Sequence, residues 1–148
     1  MGIRGILAVT ILAVSWGALV LAAQARAANL TVTVYGLKDA RGHITLSLYD
    51  RPERWLKDNQ SVVDTEVPAR AGQVTAVFHD LKPGRYAVVT MDDDDDSGHM
   101  RFTLLGLPEK GYAFSNNVRP FLKAPSFNRA AVTIGTANAA ITIRMVYP

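Results

Sequence analysis

Two runs near the start of the chain leave little freedom in what it can fold into. Leu30 to Tyr35 reads LTVTVY and His43 to Tyr49 reads HITLSLY. Successive side chains of a strand point to opposite faces, so strict apolar–polar alternation makes a half-buried strand and cannot make the 3.6-residue stripe of a helix. In the second run Ile44, Leu46 and Leu48 share one face. Five more segments have strand composition: Ser61 to Val67, Gln73 to Phe78, Arg85 to Met91, Ala130 to Ile134 and Ala140 to Tyr147. Turn residues such as Gly42, Pro68, Gly72 and Pro83-Gly84 separate them. Short strands at this spacing predict an all-β fold, a single β-sandwich of about seven to eight strands, immunoglobulin-like or prealbumin-like. Arg85 to Met91 (RYAVVTM) is apolar on both faces, as a central strand covered on both sides would be. Pro52 to Lys57 predicts a single helical turn, with Pro52 at its first position and Asp50 near enough to cap.

Residues 1–27 follow a different rule. Arg4 precedes an apolar, alanine-rich run from Gly5 to Ala23, and Ala25-Arg26-Ala27 is a small-x-small site. A charged n-region, an apolar h-region and such a site predict a cleavable signal peptide, and hence a periplasmic or secreted protein. A retained transmembrane anchor is the rival reading, since the run is just long enough to span. Without cysteine there is neither a lipid-anchor site, a disulfide framework nor thiol chemistry. The chain has 16 basic and 13 acidic residues; Arg4 and Arg26 leave with the signal, so residues 28–148 carry fourteen against thirteen. No basic stripe is concentrated anywhere, which argues against a nucleic-acid partner. No membrane partner is expected after signal cleavage. The expected partner is an extracytoplasmic ligand or protein.

Between Met91 and Ala130 the strand pattern lapses. A loop this long in a small domain is usually functional or specifically ordered. Asp92 to Asp96 is a run of five carboxylates followed by Ser97-Gly98-His99. Calcium loops set oxygen ligands at alternate positions, then a glycine for the turn, then a backbone carbonyl. With Gly98 as the turn residue, Asp93, Asp95 and Ser97 take positions 1, 3 and 5, and the His99 carbonyl position 7. Positions 9 and 12 are Arg101 and Leu104, which are not ligands. Three readings stand: a weak calcium site, an Arg101-paired loop, and a solvated acidic tip. Of the histidines, His43 and His79 sit at strand ends, and only His99 lies where a transition metal could be held.

The second informative stretch is GLPEKGYAFSNN, residues 106–117, with APSFNRA at residues 124–130. Tyr112, Phe114 and Phe127 are aromatic residues in otherwise turn-forming sequence. They either pack beneath the loop as a satellite cluster, with Ser115, Asn116 and Asn117 bonding loop backbone, or form a recognition surface for a sugar or peptide. In the second case Tyr112, Phe114, Ser115, Asn116 and Asn117 are the binding residues. No serine sits in a G-x-S-x-G elbow, and Glu109 and the aspartates have no spacing that sets a hydrolytic pair.

Four pieces in order resemble an exported family catalogued as domain of unknown function 2141. They are the strand from Gly42 to Asp50, L-K-P-G-R-Y-A-V from Leu81 to Val88, the acidic glycine-containing loop, and G-L-P-E-K-G-Y-A-F-S-N-N with A-P-S-F-x-x-A. The family's acidic loop reads like H-D-x-N-x-N-G-x-x-D; here Asp92 replaces the histidine and Arg101 the final aspartate. The P-G-x-Y-x-V strand is also similar to those of prealbumin-like sandwiches. The resemblance implies the fold rather than an activity. The expected function is a non-enzymatic binding or structural module; a hydrolase or carbohydrate-active protein using residues 92–130 is the alternative.

Overall fold

A computed structural model describes residues 26–148. The predicted signal segment lies outside the described residues except for Arg26 and Ala27. Among the described residues eight strands form two sheets. They are β1 (Ala28–Leu37), β2 (His43–Tyr49), β3 (Val63–Pro68), β4 (Gly72–Leu81), β5 (Gly84–Asp93), β6 (Tyr112–Phe114), β7 (Val132–Ile134) and β8 (Ala139–Arg144). One sheet has the order β4-β1-β8, with β1 antiparallel to β4 and parallel to β8. The other has the order β3-β2-β5-β6, all antiparallel. β7 joins it on the first residues of β5, pairing Gly84 with Ile134 and Tyr86 with Val132. The sandwich predicted from alternation is present.

The alternation translates directly into the core. Leu30, Val32 and Val34 of β1, Ile44, Leu46 and Leu48 of β2, and Val74, Ala76 and Phe78 of β4 are buried between the sheets. Each such aliphatic or aromatic side chain contributes roughly 1.5–3 kcal/mol by leaving water. In β5 the two faces diverge. Val88 enters the main core, while Ala87 and Val89 face a second cluster with Tyr49, Phe114, Phe127 and Ala130. Trp55 lies over this cluster, its ring centroid 5.2 Å from Tyr49, 5.9 Å from Phe114 and 6.1 Å from Phe127. Its indole N–H donates to the Pro125 carbonyl at 2.8 Å. The doubly apolar β5 is thus explained: one face meets the opposite sheet and the other is roofed by loops.

Two local features depart from the sequence reading. Residues 52–57 form successive turns, with Trp55 N–H on the Pro52 carbonyl at 3.2 Å and Lys57 N–H on Arg54 at 3.0 Å, rather than a helical turn. Asp50 pairs there with Arg51 at 2.8 Å instead of capping. The stretch from Met91 to Ala130 also holds more order than its composition suggested. β5 runs on to Asp93, β6 adds a three-residue strand, Ser115–Asn117 forms a 3-10 turn, and Phe127–Ala130 a short helix, α1.

Candidate functional site

The acidic run straddles the end of β5. Asp92 and Asp93 are its last residues, paired with Ile44 and His43 of β2, and both are buried. Gly42, at φ +64°, lets the chain pass close by: a Cβ there would lie 2.0 Å from the Asp93 carbonyl oxygen. The loop then winds tightly. Asp93 Oδ2 accepts the Gly98 N–H at 2.7 Å, and Asp93 Oδ1 and Asp95 Oδ1 accept the Ser97 N–H at 3.2 and 3.3 Å.

This winding brings together the three side chains expected at calcium positions 1, 3 and 5, and the cation they hold is Lys110. Its ammonium donates to Asp93 Oδ1, to Asp95 Oδ1 at 2.5 Å and to Ser97 Oγ at 2.7 Å. The Lys110 side chain is 1% exposed and that of Asp93 5%. Burial alone would push the Lys110 ammonium down, but its bonds to Asp93 and Asp95 outweigh that and hold it above its ordinary value. The same bond from Lys110 holds the Asp95 carboxyl well below the usual carboxylate range. The His99 carbonyl, expected at position 7, accepts Ser97 Oγ at 3.4 Å, and the exposed His99 ring meets the Ser97 carbonyl at 2.8 Å.

The run meets further partners from elsewhere in the chain. Arg101 reaches Asp95 Oδ2 at 2.8 Å, the contact that the Arg101-paired reading names among the three, on the outer side of the loop. His43 Nδ1 lies 2.6 Å from Asp96, which raises its pKa. Arg41 approaches Asp94 at 3.8 Å. The Tyr147 hydroxyl donates to Asp92 Oδ2 at 2.5 Å and accepts from the Lys38 N–H at 3.1 Å. Tyr147 lies flat against Gly111, where a Cβ would come within 2.6 Å of its ring. Burial pushes the Asp92 carboxyl up, and its Oδ1 has no partner.

The 112–117 segment divides. Ser115 is fully buried; its Oγ donates to the Ala130 carbonyl at 2.5 Å and accepts the Val88 N–H at 2.9 Å. Asn116, at φ +60°, donates to the Arg129 and Ala131 carbonyls at 3.1 and 3.0 Å. Asn117 donates to the Thr142 carbonyl at 3.3 Å and accepts the Arg144 N–H at 2.7 Å, so its amide pairs with the free edge of β8 as a strand would. Phe114 is buried in the second cluster. Tyr112 is half-buried, exchanges both backbone bonds with Val146, and joins the two sheets.

Beside that junction lies a groove of about 250 Å³. Tyr35, Tyr112, Phe114 and Val146 line it, with Asn117, Arg119 and Arg144. Tyr112, Phe114 and Asn117 of the expected binding set border it; Tyr35, Arg119 and Arg144 come from parts of the chain whose sequence gave no such signal.

Residues 32–142 match the family described as uncharacterized protein conserved in bacteria (DUF2141). The chain belongs to that family. No curated protein matches it. Among solved structures it is similar to the pilus-presented adhesin Spy0125 (Cpa), at 15% identity and a TM-score of 0.25, over 82% of this chain and 27% of that one. The chain thus spans about a quarter of the adhesin's length.

Proposed function

We propose that this family member is an exported, non-enzymatic binding module whose ligand meets the groove beside Tyr112. The observation that carries the reading is the pairing of an aromatic lining with Arg119 and Arg144, neither of which is in an ion pair among the described residues. Such a groove suits a ligand with a flat apolar body and an anionic group. Its volume holds one ring rather than a chain of them. The acidic loop supports the reading from the other side. A hydrolase needs an acid and a base converging on substrate, whereas these carboxylates turn toward Lys110, Arg101, His43 and Tyr147 of their own chain. Calcium enters only as a competitor for the place Lys110 holds.

The probe is 4-hydroxyphenylacetate, one ring with one carboxylate. Ligands of this size at ordinary efficiency bind at about millimolar. Saturation-transfer NMR should detect that binding, and Arg144→Gln should weaken it about tenfold by removing a charge-assisted bond. Binding indifferent to Arg144→Gln, or none at all, would overturn the groove as the site.

A further inference from the structure

Residues 111–148 hold four basic side chains, Arg119, Lys123, Arg129 and Arg144, and no Asp or Glu. Within this stretch the loop Arg119-Pro120-Phe121-Leu122-Lys123 presents two large apolar side chains between two cations. Phe121 is 81% exposed and Leu122 97%. Leu122 holds φ +61°, a left-handed conformation that glycine or asparagine would adopt at less cost. The loop is also anchored on both sides, by Asn117 on β8 and by Trp55 on the Pro125 carbonyl. The loop is therefore held at both ends and carries an apolar tip.

We infer that this tip docks on an anionic phospholipid surface, Phe121 and Leu122 entering the headgroup boundary while Arg119 and Lys123 meet the phosphates. Interfacial docking of this kind combines apolar insertion with attraction to anionic lipid and needs no spanning segment. It departs from the expectation that the processed chain has no membrane partner. A second copy of the chain fits less well, because an isologous contact would set Arg119 and Lys123 against their own equivalents. The hairpin at Arg101–Glu109 exposes four apolar side chains, Phe102, Leu104, Leu105 and Leu107, but its flanking charges are Arg101, already paired with Asp95 and Glu109, and the anionic Glu109 itself.

The test is flotation of the protein with vesicles of phosphatidylcholine alone and of phosphatidylcholine with phosphatidylglycerol. All variants carry the wild-type N-terminus, so only the loop differs. Wild type should bind the anionic vesicles more tightly and lose that preference in high salt. Phe121→Ser with Leu122→Ser should weaken binding about a hundredfold, roughly tenfold for each side chain. Lys123→Gln should weaken it about fivefold. The thermal midpoint of these variants should not move, since the side chains are exposed. Phe121, Leu122 and Lys123 do not line the groove, so binding of 4-hydroxyphenylacetate should survive in them and the two readings fail separately. Four results would overturn the docking: no vesicle binding by wild type, equal binding by the Phe121/Leu122 variant, loss on Leu104→Ser with Leu105→Ser instead, or a concentration-dependent dimer that the Phe121/Leu122 variant abolishes.

Discussion

Replacing Lys110 with methionine keeps the length and apolar stem of the side chain and removes only the ammonium. Asp93, 5% exposed, then loses the cation that compensates its charge. Breaking a buried pair by deleting one partner costs about 3–5 kcal/mol. The low end applies, because Asp95 is 33% exposed and can rehydrate. A loss of about 3 kcal/mol corresponds to a fall in thermal midpoint of about 10 °C for a domain of this size. The variant also leaves Asp93, Asp95 and Ser97 oxygens converging on an empty point of calcium-like spacing. With a Kd of about 10⁻⁴–10⁻³ M, calcium at about 10 mM should restore about 1.4–2.7 kcal/mol. The assay is thermal and urea unfolding of wild type and Lys110→Met, each with calcium, magnesium and chelator. Calcium should stabilise the variant and leave wild type nearly unchanged. A loss below about 1 kcal/mol would refute the buried-pair reasoning. Equal calcium stabilisation of both proteins would show that the ion and the lysine do not share a place.

Tyr147→Phe removes the hydroxyl that serves Asp92 and the Lys38 N–H, leaving a buried carboxyl with neither oxygen bonded; unfolding should show a cost of about 1–3 kcal/mol. Because burial raises the folded-state pKa of Asp92, its contribution favours folding at low pH and is lost as pH rises through that value, so the penalty should be larger at neutral pH than in acid. Ser115→Ala strands the Val88 N–H and the Ala130 carbonyl, and denaturant curves should place its cost at about 2 kcal/mol. Mass spectrometry of protein from its natural compartment should find Ala28 as the first residue; an intact Met1 on a membrane-bound species would contradict the export reading.

Much of the architecture could be read from residue order because alternation is a local property. LTVTVY and HITLSLY assign their own inner faces, and RYAVVTM announces a strand covered twice. The convergence of Asp93, Asp95 and Ser97 was legible for the same reason, as it depends on spacing within five residues. What they converge on was not. Lys110 is separated from Asp93 by the Arg101–Glu109 hairpin, and no spacing rule links a lysine at that distance to the carboxylates. Charge counting was the available signal: five adjacent carboxylates, two of them buried, require cations, and Arg101 was only the nearest in sequence. Ser115, Asn116 and Asn117 looked alike as polar loop residues, yet Ser115 ties the backbone at Ala130 to Val88, Asn116 holds Arg129 and Ala131, and Asn117 pairs with β8. The groove was the least legible feature, since Tyr35, Tyr112 and Arg144 meet only through the Tyr112–Val146 junction between sheets.

The division of labour between groove and acidic loop is tested most directly by amide NMR spectra of the labelled protein titrated with 4-hydroxyphenylacetate. The predicted result is a saturable shift of the Tyr35, Tyr112, Phe114, Arg119 and Arg144 resonances at millimolar ligand, with the Asp93 to Ser97 resonances unmoved. Shifts centred on Asp93 to Ser97, or none anywhere, would contradict it.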